Sequence, residues 1–152
     1  MNKPAKRRWV RGTIAALVLC TVGAVALAQS DVISTRRDAM KGNGAAMKAI
    51  KAVVEANGPA ADVGAQAQKI ADTAAKIPDL FPQGSDQGGE TAAKVEIWQN
   101  WDDFKSKAGD LKMQADMLVS AAQGGDLATV RAQFEKVGGA CGACHKAYKA
   151  AK

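Results

Sequence analysis

The chain reads as an all-α protein, an antiparallel up-down-up-down four-helix bundle, and three observations predict it. Alanine dominates an apolar fraction of 47%, while aromatic residues supply only 5%, a composition that favours helices. Apolar residues recur in four stretches, alternately three and four positions apart, which is the repeat of a helix that buries one stripe. Short turn-forming links separate those stretches, and no alternating strand pattern competes with them.

The first 28 residues are set apart before any fold is assigned. Met1 to Arg11 carries Lys3, Lys6, Arg7, Arg8 and Arg11 and no acid, and Gly12 to Ala28 is almost wholly apolar. Ala26-Leu27-Ala28 offers small residues at alternate positions, so residues 1–28 read as a secretory signal peptide cleaved before Gln29. The apolar run is shorter than the ~20 residues of a spanning helix, which argues against a retained membrane anchor. Leu19 stands where a lipoprotein signal needs a small residue, so Cys20 is not read as a lipidation site. The bundle domain is therefore placed at 29–152. Of 21 basic residues the leader removes five, leaving 16 against 15 acids, and the net charge of +6 falls to +1. With no basic stripe and no interleaved aromatics, nucleic acid is excluded as a partner.

The first helix stripe is Ile33, Met40, Gly44, Met47, Val54, opening after Ser30 as N-cap and closing at Asn57-Gly58-Pro59, with Arg36 as its polar interruption. The second, Val63, Ala67, Ile70, Ala74, Ile77, reaches Phe81 and is stopped by Pro78 and Pro82, after which a glycine-rich loop runs from Gln83 to Glu90. The third, Trp101, Phe104, Ala108, Leu111, Ala115, Leu118, Ala122, starts behind Asn100 as cap, with Asp102 and Asp103 in the first turn where acids suit the helix dipole. Gly124-Gly125 ends it. The fourth, capped by Asp126, reads Leu127, Val130, Phe134, Val137, Cys141, Cys144, Tyr148, which points both thiols inward. Met47, Met113 and Met117 read as core filler. Alanine or glycine occupies so many inward positions that the bundle needs either very close helices or something else to fill it.

Cys141-Gly142-Ala143-Cys144-His145 supplies that filler, because it matches the C-x-x-C-H pattern of covalent haem attachment. Two thiols three apart on a helix can reach the two vinyl groups on one side of a porphyrin, and the following histidine turns under the iron. A structural zinc site needs four ligands, and outside the leader only two cysteines and one histidine exist. A thioredoxin-like pair needs a βαβ setting that is absent here. A plain disulfide stays open, at the cost of leaving the adjacent histidine a coincidence. Arg7-Arg8 hints at twin-arginine export, but haem attachment outside the cytoplasm needs an unfolded chain, which favours general secretion.

Over nearly all of Asp31 to Lys149 the chain resembles the class II c-type cytochromes, the cytochrome c′ family with its low-spin methionine-ligated members. The resemblance is carried by Thr35-Arg36-Arg37-Asp38-Ala39-Met40-Lys41, by Leu80-Phe81-Pro82-Gln83-Gly84-Ser85, by Glu96-Ile97-Trp98 and above all by the stretch from Val137 to Lys149. It implies one covalent haem c on Cys141 and Cys144, His145 as proximal iron ligand, and a distal face formed by Met40 with Arg36 one turn before it. Four residues after the histidine many members have arginine, and Lys149 stands there instead, keeping a charge but losing the planar fork.

Arg36 is either a solvated flank of its helix or, facing inward, a partner for a haem propionate or distal group. Trp98, Trp101 and Phe104 are candidates for packing against the haem. In an up-down-up-down bundle the first and fourth helices run antiparallel, so His145 is level with Met40, while Met47 lies about 10 Å further along. Met40 is therefore expected at the sixth iron position. No constellation of catalytic acid, base or nucleophile appears, so the expected function is periplasmic electron transfer with redox partner proteins, not enzymatic catalysis. A five-coordinate protein that binds nitric oxide or carbon monoxide is the alternative. Neither a stable membrane anchor after signal cleavage nor a nucleic-acid partner is expected, and a homodimer is common in the family.

Overall fold

The computed structural model describes residues 19–151, with side chains from Ser30 onward. The leader expected over 1–28 thus lies outside the described residues, apart from helical backbone from Leu19. Five helices follow: α1 Leu19–Glu55, α2 Ala61–Lys76, α3 Glu96–Gln99, α4 Trp101–Gly124 and α5 Leu127–Tyr148. A 3₁₀ turn, Pro78–Leu80, sits between α2 and α3. Among the described residues no helix is long and apolar enough to cross a membrane.

α1 is continuous through Ser30, so that residue does not cap the helix as expected. The helical backbone already present on its N-terminal side supplies the turn that a cap would have to start. The other end is as the sequence predicts. Asn57 takes a left-handed φ of 52°, Gly58 N donates to Val53 O at 2.9 Å, and Pro59 follows. Arg131 on α5 completes this terminus from outside, donating to Val54 O at 2.6 Å and to Asn57 Oδ1 at 2.7 Å.

Pro78 ends α2, since it cannot continue the helical hydrogen-bond ladder. Asn100 precedes α4, but its side chain makes no capping bond and donates back to Glu96 O at 3.1 Å. The one-turn α3 before it has already taken that side chain. Gly125, with φ 76°, ends α4. Asp126 caps α5 by accepting from Ala128 N and Thr129 N.

Four long helices stand at the corners of a square. α1 packs on α2, α2 on α4 and α4 on α5, while the diagonal pairs do not meet. The closing side, α5 against α1, is the sparsest of the four. The core between α2 and α4 is built on small side chains, with Ala67, Ala71, Ala74, Ala108, Ala115 and Ala122 all buried. At Gly64 a Cβ would touch Ala122 Cβ at 3.8 Å, so the helices approach almost to backbone contact there. Met113 and Met117 do not fill this core. They are 50% exposed, because they fall between the inward positions Leu111, Ala115 and Leu118.

Candidate functional site

On a helix, residues i, i+3 and i+4 share a face. Cys141, Cys144 and His145 have this relation on α5, and Met40, Asn43, Gly44 and Met47 extend it by one more turn on α1. Both sets line one cavity of about 310 Å³ between the sparsely packed helices. That volume lies within the roughly 300–1,000 Å³ usual for cofactor pockets. Its walls are mostly apolar, with Phe81, Ile97, Phe104 and Leu111 closing the sides.

The sequence-predicted residues Cys141, Cys144, His145, Met40 and Arg36 therefore all reach the same space. Trp98 and Trp101 do not. Trp98 Nε1 donates to the carbonyls of Phe81 and Pro82, each at 3.0 Å, and Trp101 stacks on Phe104 with centroids 5.5 Å apart. Phe104 does line the cavity, held edge-on by Phe81 and Tyr148. A side chain at Gly138 would meet Met47 Cε at 3.9 Å, so Met47 is level with a point seven residues before His145. Met40, two turns earlier on the antiparallel α1, is left as the methionine nearest the level of His145.

Cys141 and Cys144 are free thiols, half-buried, and burial pushes both above the ordinary thiol range. Lys107 partly opposes this at Cys144. His145 is held below the usual imidazole value, first by desolvation and then by the Lys149 charge four residues on. Burial thus favours the neutral imidazole, the form that ligates a metal.

Arg36 is only 3% exposed, so it is not a solvated flank. Its guanidinium lies 4.8 Å from the Phe81 ring centroid and donates to Ser85 Oγ at 2.8 Å, Ser85 O at 2.5 Å and Thr91 Oγ1 at 2.6 Å. All three acceptors are neutral, which among the described residues leaves the charge without a contacting counterion and two of five N–H groups unassigned. Burial lowers its pKa, with Asp86 opposing from a distance. Through these bonds Arg36 ties the loop after α2 to α1.

The same loop also holds the end of α5. Ala93 and Lys149 form an isolated antiparallel bridge, Lys94 N donates to Tyr148 O at 3.0 Å, and Ala150 N donates to Ala92 O at 2.8 Å. Lys94 Nζ adds a bond to Ala147 O at 2.9 Å. Tyr148 OH donates to Asp103 Oδ2 at 2.5 Å, fixing the end of α5 to the start of α4. Burial and that bond raise the phenol to about 12, while the Tyr148 and Lys107 bonds hold Asp103 below the usual carboxylate range.

Two features escape a sequence reading. Ser85 and Thr91 lie about fifty residues from Arg36, in an irregular loop with no periodicity to flag them. Asn43 had a signal, since it stands three residues after Met40 on the inward face, but a polar residue in an apolar stripe is easily passed over. It is 8% exposed, and its Oδ1 is the one buried side-chain polar atom without a partner among the described residues. Such an orphan costs about 1–3 kcal/mol. The apolar walls, paired thiols, imidazole and thioether fit a covalently held haem.

The family model for Cytochrome C′ matches residues 31–149. The chain is 39% identical over 122 residues to cytochrome c-556 of Agrobacterium tumefaciens (strain II Chrys), covering 79% of this chain and 98% of that one. It is 40% identical over 144 residues to cytochrome c′ of Rhodopseudomonas palustris, covering 92% and 95%. Among solved structures it is similar to a cytochrome c′ with an unusual ligand-controlled dimer dissociation, at a TM-score of 0.77 and 32% identity, covering 81% of this chain and 97% of that one.

Proposed function

The chain belongs to the cytochrome c′ family, whose members bind one covalent haem c, and we propose from this premise that it is a mono-haem electron carrier of the periplasm. The observation that carries the reading is the convergence of two thiols and an imidazole from α5, and a thioether from α1, on opposite walls of one apolar cavity.

In this reading Cys141 and Cys144 hold the haem through thioethers, His145 is the proximal ligand and Met40 the distal one. Haem c supplies a one-electron iron couple. The remaining work falls to the chain. The Tyr148–Asp103 bond and the loop pairing fix the end of α5, and so the position of His145. Arg36, buried without a contacting counterion among the described residues, is the partner for a carboxylate at the edge of the cavity, as a propionate would present. Phe81 and Phe104 give the cavity apolar walls, and a methionine ligand would raise the potential. The protein would act on electrons alone, with redox proteins as partners, and not as an enzyme.

The test is the spin state of purified holoprotein and of Met40→Ala. Low-spin iron that turns high-spin and gains carbon monoxide binding on substitution is the expected result. Wild-type iron that is already high-spin would remove Met40 as a ligand. It would favour the second reading, a five-coordinate site open to nitric oxide or carbon monoxide. The structural relative whose dimer dissociation is ligand-controlled supports that second reading, and with it a homodimer for this chain.

A further inference from the structure

We propose that Asn43 is a specificity-determining residue of the α1 face, donating a hydrogen bond from its amide to a diatomic ligand that takes the sixth position in place of Met40. The proposal rests on the reading of Met40 as the group at that position. Asn43 lies one turn further along α1 from Met40, lines the same cavity and is 8% exposed. From Met40 to Met47, α1 presents only thioethers, a glycine and this amide to the cavity, so Asn43 is its sole conventional hydrogen-bonding side chain there.

Its Oδ1 has no partner, so no hydrogen bond on that oxygen holds the amide in one orientation. Oδ1 is closed off from the cavity whereas Nδ2 is not and makes no hydrogen bond among the described residues, so the N–H is the side of the amide open to an incoming ligand. A diatomic molecule on ferrous iron carries partial negative charge on its outer atom and accepts such a bond. A thioether ligand draws no comparable benefit. The amide therefore favours the exogenous ligand over Met40 and sets how far the two compete.

The experiment compares holoprotein Met40→Ala with Met40→Ala/Asn43→Leu, using carbon monoxide as the probe. Removing the donor should raise the C–O stretching frequency and speed carbon monoxide dissociation about three- to tenfold, the worth of one ordinary hydrogen bond. Asn43→Ala in the same background should shift the stretch in the same direction, which separates loss of the donor from any misfit of leucine. Carbon monoxide binding with a stretch indifferent to both substitutions overturns the role of Asn43 and leaves the Met40 reading standing. If Met40→Ala binds no carbon monoxide, the Met40 reading falls and takes this proposal with it.

Discussion

The bundle has two kinds of seam, and both are made from small residues. Between α2 and α4 the alanines let the backbones close up, and Gly64 meets Ala122 with room for no more than a methyl group. Between α1 and α5 residues such as Gly44 leave nothing within 4 Å of an added Cβ, and the helices stand apart around a cavity. Small side chains thus do not by themselves bring helices together. They permit close approach, and the residues around them decide whether it happens. Here Met40 and Met47 face the cysteine pair, while Phe81, Phe104 and Tyr148 brace one end and hold the second seam open.

The comparison breaks most completely if the open seam is left unfilled. A sealed void of 310 Å³ would cost an upper bound of roughly 7 kcal/mol at ~24 cal/mol per Å³, comparable to the stability of a whole domain. Cys141→Ala with Cys144→Ala should therefore give a haem-free protein that keeps helicity but loses a sharp melt. A cooperative, native-like thermal transition would show that the open seam collapses unaided.

Arg36→Leu comes next. It strips donors from the buried Ser85 and from Thr91, and should cost about 3 kcal/mol in denaturant unfolding while haem attachment survives. The redox potential should also move, and an unchanged potential would confine Arg36 to holding the loop.

At the closed seam, Ala122→Leu should cost about 2 kcal/mol through overpacking against Gly64. Its control is Gly109→Ala on the exposed side of α4, which meets no atom within 4 Å and should gain up to about 1 kcal/mol. Equal effects from the two substitutions would erase the distinction between the seam and the surface.

The smallest effect is on pH dependence. Tyr148 is raised to about 12 in the folded chain, so its contribution is intact below the ordinary phenol value near 10 and is lost as pH rises from there through about 12. Asp103 is lowered, so its contribution is present above the ordinary carboxylate value near 4 and is lost as pH falls through the folded value. Tyr148→Phe should flatten the alkaline limb of a melting-temperature profile and weaken the acid limb. A wild-type profile that Tyr148→Phe leaves unaltered at both ends would remove the bond from the account.

The closed seam was the more legible of the two in the sequence. Its alanine and leucine stripes follow helical spacing, and Asp126, Gly125 and Pro78 act at the helix ends through local chemistry that three or four residues carry. The open seam was legible where a motif fixes spacing, as in Cys141 to His145, and where bundle geometry sets the level of Met40. What could not be read depends on contacts between distant segments. The partners of Arg36 lie in a loop fixed only by folding, and the bracing of Tyr148 by Asp103 joins two helix ends 45 residues apart. Ser30 and the exposed methionines failed for a local reason, because a stripe shows which residues can face inward but not where a helix starts or which borderline positions win the interior.

The pairing of residues 92–94 with 148–150 also bears on the order in which the molecule assembles. These bonds join segments more than fifty residues apart in the chain. Unlike the amides within α4 or α5, those of Lys94 and Ala150 gain protection only when the end of α5 has docked. In a hydrogen-exchange measurement they form a built-in reporter of that event, and their exchange times the opening of the histidine-bearing end separately from melting of the bundle.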